Sequence, residues 1–97
     1  MGRETESGDG LCQQLRIQNE RGLHARAAAK FVRCVARFEV EIVVACRGNS
    51  VSGLSIMGLL TLAASRGTWI EIKASGQEAG PALAALAALV RDKFEES

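Results

Sequence analysis

Polar and apolar residues alternate along three segments of the chain, a pattern typical of strands with one buried face. In "CQQLRIQN", Leu15 and Ile17 have polar neighbours, and "FEVEIVVAC" and "GTWIEIKASG" repeat the pattern. A turn at "RGN" would lead from the second segment into a short strand around "SVSG". The pattern therefore predicts four strands. Their inward residues are expected to be Leu15, Ile17, Val40, Ile42, Val44, Cys46, Ile70, Ile72 and Ala74.

Three further segments have the apolar spacing of helices. The first covers residues 25 to 37, and its apolar stripe is Ala28, Phe31, Val32 and Val35. In "SIMGLLTLAAS", Ser55 can cap a short helix with Leu59 and Leu62 inward. Pro81 stands near the first position of a last helix, "PALAALAALVRDKFEE". The inward side of that helix is Leu83, Leu86, Val90 and Phe94.

The order of these elements predicts an α+β domain. Three helices are expected to cover one face of a four-stranded, mainly antiparallel sheet. The other face should be turned to water and carry Gln14, Arg16, Glu41, Glu71 and Lys73. The polar opening, residues 1 to 10, is expected to be a disordered tail, and residues 11 to 97 to form the domain.

The composition indicates one small domain with no general attraction to a charged partner. Of the 97 residues, 47% are hydrophobic, and no apolar run reaches the roughly 18 residues of a membrane span. Twelve basic and eleven acidic residues give a formal net charge of +1, so neither nucleic acid nor a membrane is expected as partner. Cys12, Cys34 and Cys46 are odd in number and widely spaced. We therefore expect reduced, buried thiols in a cytoplasmic protein, with no disulfide and no metal site.

His24, the only histidine, lies in "GLHARAAAKFV" at the predicted start of the first helix. A helix N-terminus presents unpaired N–H groups and the positive end of the helix dipole, so it favours a phosphate. An imidazole nitrogen could attack phosphorus there, and Arg26 could bind the phosphate oxygens. Gly22 would allow a close approach of the backbone. A capping histidine and a solvated arginine would explain the same residues, so both interpretations are open at this point.

The segments "GLHARAAAKFV" and "SVSGLSIMGLLTLAASRGTWIEI" together resemble the HPr family, the histidine phosphocarrier proteins of the bacterial phosphotransferase system. The first segment matches the family's signature of Gly, a hydrophobic residue and His-Ala-Arg. The second is similar to the family's serine followed by Ile-Met-Gly and a short helix. The resemblance covers about residues 12 to 95, and two motifs in register favour the functional interpretation of His24.

The resemblance implies a phosphoryl carrier with an open-faced sandwich fold, no cofactor, no metal and no catalytic activity of its own. Phosphorylated enzyme I would give the phosphoryl group to the pros nitrogen of His24, which would pass it to a histidine of an EIIA-type protein. Arg26, the backbone at Ala25, and Gly22 would hold the group. We expect a monomer, because one face must serve two partners in turn.

A serine and an apolar surface extend this picture. Ser55 matches the residue that a kinase/phosphorylase modifies in part of the family, although a plain N-cap would equally explain it. If Leu59 and Leu62 point inward, the apolar residues beside them cannot all be buried, unless the whole segment belongs to the core. We therefore expect a docking surface for enzyme I and EIIA. It comprises Ala29, Arg33, Ile56, Met57 and Leu60.

Ala27 stands where many members of the family have proline after His-Ala-Arg. This form is similar to nitrogen-related and alphaproteobacterial members, so we expect a regulatory relay rather than sugar uptake. The alternative is a regulatory binding module controlled by phosphorylation of Ser55. An acid-base enzyme is disfavoured, because the chain offers one histidine and no obvious partner carboxylate.

Overall fold

The computed structural model describes residues 10 to 96, which form four strands and three α-helices. The strands are β1 (Gly10–Arg16), β2 (Glu41–Cys46), β3 (Asn49–Ser52) and β4 (Trp69–Ser75). The helices are α1 (Ala25–Val35), α2 (Ile56–Thr61) and α3 (Ala79–Arg91), and a short turn, Lys93–Glu95, follows α3. Within residues 10 to 96 no helix has the length and apolar character needed to cross a membrane.

The four strands form one antiparallel sheet in the order β1-β4-β2-β3. In the central pairs, Leu15 lies opposite Ile70 and Val44 lies opposite Ile72. All four side chains are at least 95% buried. The period of two therefore places the apolar residues of β1, β2 and β4 together on one face, as predicted.

The helices pack on that face and close the core. Phe31 of α1, Leu59 of α2 and Leu86 of α3 are completely buried. Burial of such side chains stabilises the fold by about 1.5–3 kcal/mol each. The opposite face has no helix among the described residues and carries the five polar and charged residues expected there: Gln14, Arg16, Glu41, Glu71 and Lys73. The predicted fold, an α+β open-faced sandwich, is confirmed.

Several element ends differ from the predictions. Gly10, assigned to the tail, pairs with Ser75 and belongs to β1, while residues 1 to 9 lie outside the described residues. Helix α1 ends two residues earlier than expected, at Val35. Helix α3 begins at Ala79, so Pro81 is its third residue. The first four N–H groups of a helix have no acceptor within the helix, and a proline there loses no hydrogen bond.

The predicted continuation of α3 as an α-helix to Phe94 is wrong. The helix ends at Arg91, and Lys93, Phe94 and Glu95 have left-handed backbone conformations with φ of 57°, 54° and 60°. Phe94 is nevertheless buried, with 2% of its surface exposed. The turn therefore keeps this ring in the core although the helix has ended.

Candidate functional site

His24 is the N-cap residue of α1. Its backbone is extended, with φ −83° and ψ −176°, and its carbonyl accepts the first helical bond from the N–H of Ala28 at 2.8 Å. Its imidazole makes no capping hydrogen bond, and its side chain is 24% exposed. The capping interpretation therefore explains the backbone of His24 but not its ring, which remains available for other chemistry.

The loop before His24 is fixed by very close packing at Gly22. This glycine has φ +67°, and a Cβ built on it would lie 2.5 Å from the carbonyl oxygen of Ala64. The same carbonyl accepts the N–H of Leu23 at 2.9 Å. A side chain at position 22 would therefore clash with the backbone that holds the next residue, so the predicted need for glycine has a definite structural cause.

Asn19 supports this loop from inside, a role that the sequence analysis missed. The side chain is fully buried and its Nδ2 donates to the carbonyl of Gly22 at 2.8 Å. The N–H of Gly22 in turn lies 3.2 Å from the carbonyl of Asn19. Burial of an amide is costly unless it is hydrogen-bonded, so this contact indicates a specific structural function. Its signal in the sequence was an asparagine in the turn "NERG".

The first turn of α1 has unpaired backbone donors beside an open cleft. Among residues 10 to 96, the N–H groups of Ala25, Arg26 and Ala27 have no backbone acceptor. A cleft of about 250 Å³ adjoins them. It is lined by Glu20, Arg21, His24, Arg26, Lys30, Glu95 and Glu96. The structure thus brings His24 and Arg26 together beside unpaired donors, an arrangement suited to a phosphoryl group.

Glu96 is the second site residue that the sequence analysis missed. Its Oε2 lies 3.7 Å from Nε2 of His24, has no hydrogen-bond partner among the described residues and is buried. A carboxylate that was not obvious in the sequence therefore lies beside the histidine. Nε2 is therefore the ring nitrogen beside the negative charge of Glu96, and Nδ1 is the other ring nitrogen.

The left-handed turn after α3 brings Glu96 to the histidine. Lys30 of α1 donates from Nζ to the carbonyl of Phe94 at 2.9 Å and to the carboxylate of Glu95 at 3.2 Å. The buried ring of Phe94 anchors the same turn. Lys30 and Phe94 therefore join the end of the described chain to α1, the helix whose N-cap residue is His24.

The predicted docking surface is only partly exposed. Met57 is 72% exposed and Ile56 39% exposed, whereas Leu60 and Ala29 are half-buried and Arg33 is exposed. Helices α1 and α2, which carry these residues, pack against each other. Leu54 is 56% exposed and extends the apolar area next to Ile56, an addition that the sequence analysis did not include.

Ser55 caps helix α2. Its Oγ accepts the N–H of Gly58 at 2.9 Å, and the residue is half-buried. The capping function is therefore present, and the modification of Ser55 stays a prediction. A phosphate on this oxygen would have to replace or share the capping bond, and it would add charge at the end of the helix that carries Met57.

The three cysteines are free thiols in the structure, and contrary to the prediction they are not all buried. Cys12 is exposed on β1, and its Sγ donates to the Glu71 carboxylate at 3.0 Å. This hydrogen bond to Glu71 raises the pKa of the Cys12 thiol, and burial raises the pKa of Cys34. No group of three potential metal ligands occurs within residues 10 to 96.

Fold and site together define a small α+β sandwich that presents a histidine at an open helix N-terminus. The family model "PTS HPr component phosphorylation site" matches residues 11–92. The chain is 42% identical over 86 residues to the phosphocarrier protein HPr of Neisseria meningitidis serogroup A. The matched residues cover 89% of this chain and 97% of that relative. It is 40% identical over 87 residues to the phosphocarrier protein NPr of Shewanella violacea, with 90% and 96% covered.

The solved structures agree with these relatives. The crystal structure of HPr-C-His from Thermoanaerobacter tengcongensis matches with a TM-score of 0.85 and 36% identity, over 90% of this chain and 98% of that one. The chain therefore belongs to the HPr family and is a phosphocarrier of the phosphotransferase system rather than a catalyst.

Proposed function

We propose that His24 is the phosphoryl acceptor, that it receives the group from phosphorylated enzyme I, and that it passes the group to a histidine of an EIIA-type protein. The observation that carries this proposal is the imidazole of His24, which lies at the start of α1 and makes no capping hydrogen bond. Its Nε2 faces the Glu96 carboxylate at 3.7 Å. Because Nε2 is the nitrogen beside this carboxylate, we assign the attack on phosphorus to the other ring nitrogen, Nδ1, the pros nitrogen.

The transfer forms one bond and breaks one bond. The Nδ1 lone pair attacks phosphorus while the bond from phosphorus to the donor breaks, and the donor keeps that electron pair. The new phosphoryl oxygens would then be met by the first-turn N–H groups of Ala25 and Arg26 and by the Arg26 guanidinium. Gly22 permits the backbone path that presents these donors.

Glu96 places a negative charge beside the proposed phosphoryl acceptor. Its carboxylate would repel the negative phosphoryl group, which favours release of the group to the next protein. A carrier needs this release, because a phosphate held too firmly would not reach the second protein.

We further propose that the relay is regulatory and acts in the cytoplasm, and that the carrier is a monomer. Ala27, at the position where many members have proline, is the third residue of α1 and is completely buried. The chain is similar to HPr and NPr proteins at nearly equal identity, 42% and 40%. The pathway assignment therefore rests on Ala27 and on its resemblance to nitrogen-related members.

A second candidate function is a regulatory binding module controlled at Ser55 by a kinase/phosphorylase. It is favoured by the exposed side chain of Met57, which lies two residues after Ser55 on the same short helix. Binding that survives His24→Ala but is lost in Met57→Glu would support this module over the carrier.

The experiment for the carrier is transfer of phosphate from phosphoenolpyruvate through purified enzyme I. The wild-type protein should take up one acid-labile phosphoryl group, and His24→Ala should take up none. Arg26→Gln should be labelled more slowly, because it lacks a guanidinium for the phosphate oxygens. If the same enzyme I labels an ordinary HPr but leaves this protein unlabelled, the proposal fails.

A further inference from the structure

Arg47 makes a contact that the carrier function does not explain. It is the first residue of the tight turn between β2 and β3, where both Arg47 and Gly48 have positive φ, 49° and 86°. This conformation is unfavourable for a residue with a side chain. Its Nη2 donates to two carbonyls on another element, those of Leu62 and Ala63, both at 3.1 Å.

The two carbonyls belong to the end of helix α2. The last carbonyls of a helix receive no hydrogen bond from within the helix and lie at the negative end of the helix dipole. A guanidinium is therefore a suitable partner for them. Ala63 itself has φ 51°, a left-handed conformation at the point where the chain leaves α2. Arg47 therefore fixes the exit of α2 in a conformation that alanine does not favour by itself.

The next residue in the chain is the one that holds the loop before the histidine. Ala64 is 2% exposed, and its carbonyl accepts the N–H of Leu23 at 2.9 Å. The Cα of Gly22 packs so closely on this carbonyl that no Cβ would fit. A shift of Ala64 therefore moves the backbone immediately before His24.

We propose that Arg47 is a positioning residue for the phosphoryl acceptor, acting through Ala64. Its guanidinium holds the carbonyls of Leu62 and Ala63, and Ala64 then places the Leu23 amide and the backbone of His24. The proposal rests on the proposed function of His24, because only then does the position of that ring decide a transfer rate. The turn between β2 and β3 thus contributes to phosphoryl transfer, although it lies on another element than the histidine.

The test compares Arg47→Gln with the wild type at a temperature where both are fully folded. The first readout is the hydrogen-exchange rate of the Leu23 amide, divided by that of the Ile72 amide in the central strand. We expect this ratio to rise about tenfold in Arg47→Gln, because the Ala64 carbonyl is no longer fixed. We expect the rate of labelling from enzyme I to fall about fivefold, since small displacements of reacting groups slow transfer.

Two further variants separate positioning from general stability. Arg47→Lys keeps the charge but offers a single ammonium group, and its labelling rate should lie between those of the wild type and Arg47→Gln. Arg91→Gln removes an exposed arginine in the last turn of α3 and should change neither readout.

An unchanged exchange ratio in Arg47→Gln, or a labelling rate equal to that of the wild type, would overturn the proposal. Equal acceleration of Leu23 and Ile72 would also overturn it, because the effect would then be global. If the wild type itself takes no label, the proposed function fails, whereas the exchange ratio still decides whether Arg47 controls the loop.

Discussion

Substitution of Gly22 by alanine should be far more harmful than the same substitution at Gly48. Both glycines have positive φ, +67° and +86°, so alanine pays a similar conformational penalty at each, about 1–2 kcal/mol. Part of it is offset, by about 0.4–1 kcal/mol, because alanine restricts the unfolded chain. Gly48→Ala is therefore expected to lower the free energy of unfolding by about 1 kcal/mol.

The two positions differ in the space around them. A Cβ at Gly48 meets nothing within 4 Å, whereas at Gly22 it would lie 2.5 Å from the Ala64 oxygen and 2.9 Å from the Cα of Ser65. Both neighbours are backbone atoms and cannot rotate away. Relief of the clash requires a shift that weakens the Leu23 N–H bond to Ala64, at about 1 kcal/mol, and disturbs the packing of Ala64. The total loss at Gly22 should be about 2–4 kcal/mol.

Urea unfolding of the two variants, followed by fluorescence of the single tryptophan, measures the difference directly. At low urea, where Gly22→Ala is still folded, it should also accept phosphate from enzyme I more slowly than Gly48→Ala does. Equal losses of stability in the two variants would refute the reasoning, because the contact with Ala64 would then have no energetic weight.

Three more predictions follow from the same contacts. Ser55→Ala should lose about 1 kcal/mol of stability with the N-cap, whereas Ser55→Asp should stay near the wild type in a thermal melt; a neutral Ser55→Ala would contradict the capping bond. Because the Glu71 hydrogen bond raises the pKa of Cys12, Glu71→Leu, which removes the acceptor, should lower that pKa and make alkylation at pH 8 faster; an unchanged rate would contradict the contribution of this contact. Lys30→Met should cost about 1–2 kcal/mol and speed hydrogen exchange at Glu96; full protection there would show that the turn does not depend on the lysine.

The sequence predicts most of the fold because its hydrophobic periods are clear, and it predicts His24 and Arg26 because they lie in one motif. The alternation of buried and exposed residues in β1 also indicates that Cys12 points outward. With Leu15 and Ile17 inward, every even position points outward, so the exposure of Cys12 could have been predicted.

Glu96 could not be found in this way. The segment "RDKFEE" contains neither glycine nor proline to mark the end of α3, and its residues are compatible with a continuing helix. The turn forms because Phe94 is buried and Lys30 binds its carbonyl, which are tertiary contacts between residues 64 positions apart. Asn19 was missed for a related reason, since its burial depends on the packing of the loop around Gly22.

The central claim is that Nδ1 of His24 carries the phosphoryl group. Nitrogen-15 and phosphorus NMR of the protein labelled through enzyme I measures this directly, since the two ring nitrogens give distinct couplings to phosphorus. The account predicts a single phosphohistidine with the phosphorus bonded to Nδ1, whereas Nε2 is the nitrogen that faces Glu96. Phosphorus bonded to Nε2, or to any residue other than His24, would contradict it.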